Sequence, residues 1–202
     1  MNQPGVVMKK VFLMVLTAVA LVTTPAAAQP PVPIALAATS VTATGLTANW
    51  DASAGATGYF LDVATDAGFT TFVSGFNDLP VATTSQAVTG LSPSTTYFYQ
   101  VRATNGVVSA NSNPISQETT PSAPTATAAG SITTISFTAN WSSSTGATGY
   151  QLDVATDAGF TSFVSGFNNL AVPGTSQSVT GLTAGTPYFY RVRAVNAGGP
   201  SG

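Results

Sequence analysis

The sequence predicts an all-β protein made of two tandem β-sandwiches, and three observations carry that prediction. Apolar residues recur with period two, as in Tyr97-Phe-Tyr-Gln-Val-Arg-Ala103, where Tyr97, Tyr99, Val101 and Ala103 share one face and Phe98, Gln100 and Arg102 the other. One unit is present twice: Gly55-Ala-Thr-Gly-Tyr59 returns as Gly146-Ala-Thr-Gly-Tyr150, and Leu61 to Thr70 as Leu152 to Thr161. Only 6% of residues are charged, against 44% hydrophobic and 19 glycines. That mixture suits short strands joined by small-residue turns and does not suit charge-laced helices.

The chain opens on a segment of a different kind. Lys9 and Lys10 precede an apolar run from Val11 to Val22, and Ala26-Ala27-Ala28 stands before Gln29. A basic patch, an apolar run and a small-residue site make residues 1–28 a secretory signal peptide, cut after Ala28. The run falls short of the roughly 20 apolar residues a bilayer-spanning helix needs, so no membrane span is expected after cleavage. Residues 29–34 contain Pro30, Pro31 and Pro33 and are expected to form an extended arm.

The first domain is expected over residues 35–120. Leu46, Ala48 and Trp50 share one face of a strand, and Tyr59, Leu61 and Val63 one face of the next. Turn signals at Ser53 to Thr57, Asp66 to Gly68, Gly75 to Asp78 and Gly90 to Thr95 divide the strands. Two sheets facing each other would bury these alternating faces. Pro121 and Pro124 interrupt the alternation and mark the joint, so the second domain is expected over residues 121–202. Its landmarks follow those of the first by 91 residues: Trp50 and Trp141, Leu91 and Leu182, Tyr97 and Tyr188, Asn105 and Asn196.

These landmarks resemble the fibronectin type III family. The resemblance rests on a Trp in the second strand (Trp50, Trp141), a Tyr opening the third (Tyr59, Tyr150), and Leu91-Ser-Pro-Ser-Thr-Thr-Tyr97 leading to Val101-Arg-Ala-Thr-Asn105. The second copy has Leu182-Thr-Ala-Gly-Thr-Pro-Tyr188 leading to Val192-Arg-Ala-Val-Asn196, with Ala184 where the family often has Pro. It implies two seven-stranded immunoglobulin-like sandwiches with Trp50, Tyr59, Leu91, Tyr97, Trp141, Tyr150, Leu182 and Tyr188 as structural core. Tyr97 and Tyr188 would reach backbone just upstream through their hydroxyls. Pro114 to Thr119 supplies the family's last strand in the first copy; counting by the repeat, Gly202 corresponds to Asn111, so the second copy is expected to lack it. The long segments Asp66 to Leu79 and Asp157 to Leu170, with three phenylalanines each, look like bacterial secreted members of the family.

Functional chemistry is narrowed by what is missing. With no His and no Cys, the chain has no imidazole base, thiol nucleophile, disulfide or common zinc ligand set. Once Lys9 and Lys10 are removed, three arginines stand against seven acidic residues, a balance that disfavours nucleic acid. Asp62 with Asp66, and Asp153 with Asp157, supply too few oxygens for a calcium cage and read more simply as turn chemistry. The same pairs have no evident cleft in which to act as glycosidase carboxylates. No catalytic, cofactor or metal residue is therefore assigned. Aromatic faces stack on sugars and anchor proteins, and Phe60 and Phe98, which alternation turns away from the core, are the expected contacts for a protein or carbohydrate partner. The function expected is a non-catalytic extracellular or cell-surface spacer or adhesion module; the alternative is an accessory module of a secreted polysaccharide-active enzyme whose catalytic domain lies beyond Gly202.

Overall fold

The computed structural model describes residues 28–202 together with Met1. Of the expected signal segment, residues 1–28, residues 2–27 lie outside the described residues. Every regular element among the described residues is a strand.

The first module has seven strands: β1 (Ala35–Thr39), β2 (Gly45–Trp50), β3 (Gly58–Ala64), β4 (Leu79–Val81), β5 (Ser85–Thr89), β6 (Thr96–Thr104) and β7 (Ile115–Glu118). They form a three-stranded sheet in the order β1-β2-β5 and a four-stranded sheet in the order β4-β3-β6-β7, antiparallel throughout. The second module repeats the plan with β8 (Ala126–Gly130), β9 (Ser136–Trp141), β10 (Gly149–Ala155), β11 (Leu170–Val172), β12 (Ser176–Thr180), β13 (Phe189–Asn196) and β14 (Gly199–Pro200). Its sheets are β8-β9-β12 and β11-β10-β13-β14.

Alternation makes these sandwiches. From β2 the core takes Leu46, Ala48 and Trp50; from β3 Tyr59, Leu61 and Val63; from β6 Tyr97, Tyr99, Val101 and Ala103. Trp50 meets Tyr59 edge-on at 5.6 Å between ring centroids, and Trp141 meets Tyr150 at 5.8 Å. Such pairs add to the burial that holds the two sheets together. The Tyr59 hydroxyl, at the edge of this core, accepts a hydrogen bond from Ser53 N at 3.0 Å, as Tyr150 does from Ser144 N.

The two modules differ at the last strand. Ser109 and Ser201 sit in the same place: each backbone N–H donates to the carbonyl of Ala103 or Ala194, and each hydroxyl accepts from that alanine's N–H. Three residues separate Asn105 from Ser109 and four separate Asn196 from Ser201, so the repeat gains one residue in this turn. Gly202 therefore corresponds to Ala110 and not to Asn111. The short β14 is the counterpart of the single bridge between Thr104 and Val108. On β6, β7 goes on to pair with Thr96 to Tyr99; among the described residues nothing pairs with the matching edge of β13.

Both modules take up their entering segment in the same way. Asn105 Nδ2 donates to the Ala28 carbonyl and Ser53 Oγ to that of Pro31; Asn196 Nδ2 donates to the Thr119 carbonyl and Ser144 Oγ to that of Ser122. The arm before the first module and the linker before the second thus occupy equivalent seats.

Candidate functional site

The outward face of the four-stranded sheets is where the two copies concentrate their charge. Alternation sends Asp62, Gln100 and Arg102 outward, yet Asp62 is 4% exposed and Asp153 1%. The segment after β3 folds back over this face. Backbone N–H groups close it down: Asp78 N donates to Asp62 Oδ1 at 2.7 Å, and Asn169 N to Asp153 Oδ1 at 2.6 Å. Asp62 also accepts from Gln100 Nε2 at 3.2 Å and Arg102 Nη2 at 3.3 Å, and Arg102 pairs with Asp78. In the second module Arg191 replaces Gln100, so Asp153 accepts from Arg191 Nε at 2.9 Å and Arg193 Nη2 at 3.1 Å. A buried carboxylate held by charge-assisted donors on every side is a clamp between loop and sheet.

Asp66 and Asp157 begin the folded-back segment. Asp66 accepts from the backbone N–H of Gly68, Thr70 and Thr71, and Asp157 from those of Thr161 and Ser162. These bonds hold both carboxyls below the ordinary aspartate value of 3.8, with the Thr70 N–H the largest influence on Asp66 and the Thr161 N–H on Asp157. The oxygens of each pair are thus engaged with donors. No cluster of three or more His, Cys, Asp or Glu that could hold a metal occurs among the described residues.

Phe60 and Phe98 are both half-buried. Phe60 lies beneath the Arg102 guanidinium, 5.8 Å from the ring centroid, and pairs across the strands with Arg102. Phe98 pairs with Ala64, four residues along β3 from Phe60, so about 13 Å and the Asp62–Gln100 pair separate the two rings' strand positions. They do not make one surface. On the other side of Ala64 from Phe98 a bridge joins Ala64 to Phe72 of the folded-back segment, and another joins Ala155 to Phe163. Phe76 and Phe167, by contrast, turn in against the core clusters.

A cavity of about 640 Å³ opens in the second module beside Phe137, Leu182, Tyr188 and Tyr190, with Thr133, Thr183 and Thr186 at its rim. The equivalents of those threonines, Thr42, Ser92 and Thr95, are the groups that Thr119 and Thr120 engage in the first module. Tyr97 and Tyr99 are buried there, while Tyr188 and Tyr190 remain half-buried.

The architecture and the repeated landmarks agree with the comparison to known proteins. The fibronectin type III domain model matches residues 29–118 and again residues 122–202. The chain belongs to the fibronectin type III family. It is 34% identical over 187 residues to chitinase A1 of Niallia circulans, covering 84% of this chain and 24% of that protein. Endoglucanase B of Cellulomonas fimi is 34% identical over 186 residues, covering 80% of this chain and 16% of that protein. The chain thus spans a quarter or less of these relatives. Among solved structures it superposes on the FN1–FN3 domains of chicken CNTN1 with a TM-score of 0.52 at 16% identity, covering 86% of this chain and 65% of that one, a likeness of fold alone. No helix among the described residues is long and apolar enough to cross a membrane.

Proposed function

We propose that the two fibronectin type III modules are non-catalytic accessory modules of a secreted protein that acts on polysaccharide. The observation that supports this most is how the likeness is distributed: the chain matches chitinase A1 and endoglucanase B at 34% identity within only 24% and 16% of their lengths. A sequence without His or Cys supplies no imidazole base and no thiol nucleophile, and its buried aspartates Asp62 and Asp153 are tied to arginine. Catalysis then resides outside residues 29–202, and the modules set the distance and presentation of what they carry. Secretion by the signal at residues 1–28, cut after Ala28, belongs to the same proposal. The adhesive reading has no Arg-Gly-Asp motif behind it in this sequence.

The test is sugar release. The purified chain incubated with chitin or with cellulose should release no reducing sugar above a heat-treated control. Sustained release that is lost on Asp62→Asn or Asp153→Asn would overturn the non-catalytic assignment.

A further inference from the structure

We infer that each module carries an aromatic platform for an extended, uncharged polysaccharide chain on the outer face of its four-stranded sheet, centred on Ala64 and on Ala155. The inference rests on the accessory reading above for the class of ligand. Its geometry is independent of that reading.

Residues paired across neighbouring strands point to the same face of a sheet. Ala64 pairs with Phe98 on one side and with Phe72 on the other; Ala155 pairs in the same way with Phe189 and Phe163. Each alanine is therefore flanked by two phenylalanines whose backbones lie two strand spacings, about 10 Å, apart. Each alanine is fully buried, whereas Phe72 and Phe163 are 36% exposed and Phe189 40%. The rings form an apolar strip at the surface over a small floor.

A third phenylalanine stands in the same folded-back segment of each module. Phe69 and Phe160 occupy the left-handed region, with φ of 53° and 55°, where bulky residues are rare and strained. The turn bonds to Asp66 and Asp157 hold them there, and both copies keep phenylalanine where glycine or asparagine would relieve the backbone. In the second module the Phe160 ring lies 4.4 Å from the Arg191 guanidinium, beside the strip.

These features select a ligand. Flat apolar rings in a row suit the apolar faces of pyranose rings, and a separation near 10 Å is close to the disaccharide repeat of an extended β-1,4-linked chain. The arginine at the border, Arg191, is committed to Asp153, and the chain holds only five Lys and Arg in all, so an anionic chain is not favoured. Two such platforms in tandem would bind by avidity, each weak alone.

The experiment is retention of the purified chain on insoluble chitin and on microcrystalline cellulose, compared with Phe72→Ala, Phe163→Ala and Phe189→Ala, singly and together. Ile135→Ala, which removes a still more exposed apolar side chain elsewhere (60% exposed), is the control. Retention should fall about tenfold or more in the triple variant, as expected when both members of a bivalent pair are lost, and stay unchanged in the control. Phe163→Trp keeps an aromatic face and should retain binding, which separates loss of the ring from loss of folding. Binding to one polysaccharide or to both identifies the sugar and supports the inference. No retention on either, or equal retention by the triple variant, overturns it. The accessory reading is judged by sugar release, so it can stand if the platform falls.

Discussion

The Tyr97 hydroxyl accepts a hydrogen bond from the Ser92 backbone N–H at 2.9 Å, and the Tyr188 hydroxyl accepts one from the Thr183 N–H at the same distance. Each bond ties the turn before a long strand to a ring at that strand's start. Removing the oxygen leaves a backbone donor without its partner, which costs about 1–2 kcal/mol where the group is shielded from water. Tyr97→Phe should therefore destabilise the first module by about that amount, and Tyr188→Phe should cost less, because Tyr188 is half-buried while Tyr97 is 5% exposed. Urea unfolding followed by a probe in each module checks the order.

Trp50 and Trp141 each fill a core between two sheets, 2% and 5% exposed. Truncation to alanine leaves a cavity that the sheets cannot close, and about 3–5 kcal/mol of stability should be lost from the affected module. Unfolding midpoints of Trp50→Ala and Trp141→Ala measure this. A change below about 0.5 kcal/mol would place the residue at the surface.

Much of this fold was legible because its signal is local. The inward faces of Tyr97 to Ala103 and Leu46 to Trp50 follow from period-two spacing, and the repeat of Trp50 at Trp141 fixes the number of sandwiches. The outer face was not legible, since alternation assigns Asp62 and Gln100 to solvent and gives no hint that residues 65–78 fold back over them. That coverage depends on bonds such as Asp78 N to Asp62, which link residues 16 apart through backbone and leave no mark in the pattern of side chains. For the same reason the pattern of side chains does not show that Phe72 lies across Ala64 from Phe98. The extra residue between Asn196 and Ser201 escaped notice because the count by repeat holds up to Asn196, and only the seat of Ser201 exposes it.

The Asp153 clamp should be a stability determinant of the second module. Its carboxylate takes Arg191, Arg193 and the Asn169 N–H, while the arginine side chains are themselves 49% and 28% exposed and so partly able to find water instead. Asp153→Ala should cost about 1–3 kcal/mol, the scale of hydrogen bonds to a charged group, and Arg191→Ala distinctly less. Equal effects in chemical denaturation would mean that the loop is held some other way.

Acid should loosen the folded-back segments before it unfolds the sheets. The carboxyls of Asp66 and Asp157 titrate below 3.8 in the folded chain because they accept backbone N–H bonds. Their contribution is fully present above that ordinary value and is lost as pH falls through the lower folded value. Amide protection at Thr70, Thr71, Thr161 and Ser162, taken against the intrinsic exchange rate at each pH, should hold at neutral pH and be lost, before that of β3 and β10, only below about pH 4. Asp66→Asn should abolish the pH dependence in its own module.

The cavity beside Tyr188 and Tyr190 should accept a strand like β7. Joining a copy of Asn111–Thr120 after Gly202 would place an isoleucine where Ile115 packs against the first core and threonines where Thr119 and Thr120 bond. Partial burial of the isoleucine, as for Ile115, should raise the stability of the second module by about 1 kcal/mol. A copy with aspartate at the isoleucine position should not.

The central claim, that these modules assist a polysaccharide-active protein without catalysing, is tested most directly by deletion of residues 29–202 from the full-length polypeptide, followed by hydrolysis of insoluble chitin and cellulose alongside soluble oligosaccharide. The account predicts that hydrolysis of one insoluble polysaccharide drops while turnover of its soluble oligosaccharide is unchanged. Loss of both activities together, or no activity on either polysaccharide by the undeleted polypeptide, would contradict it.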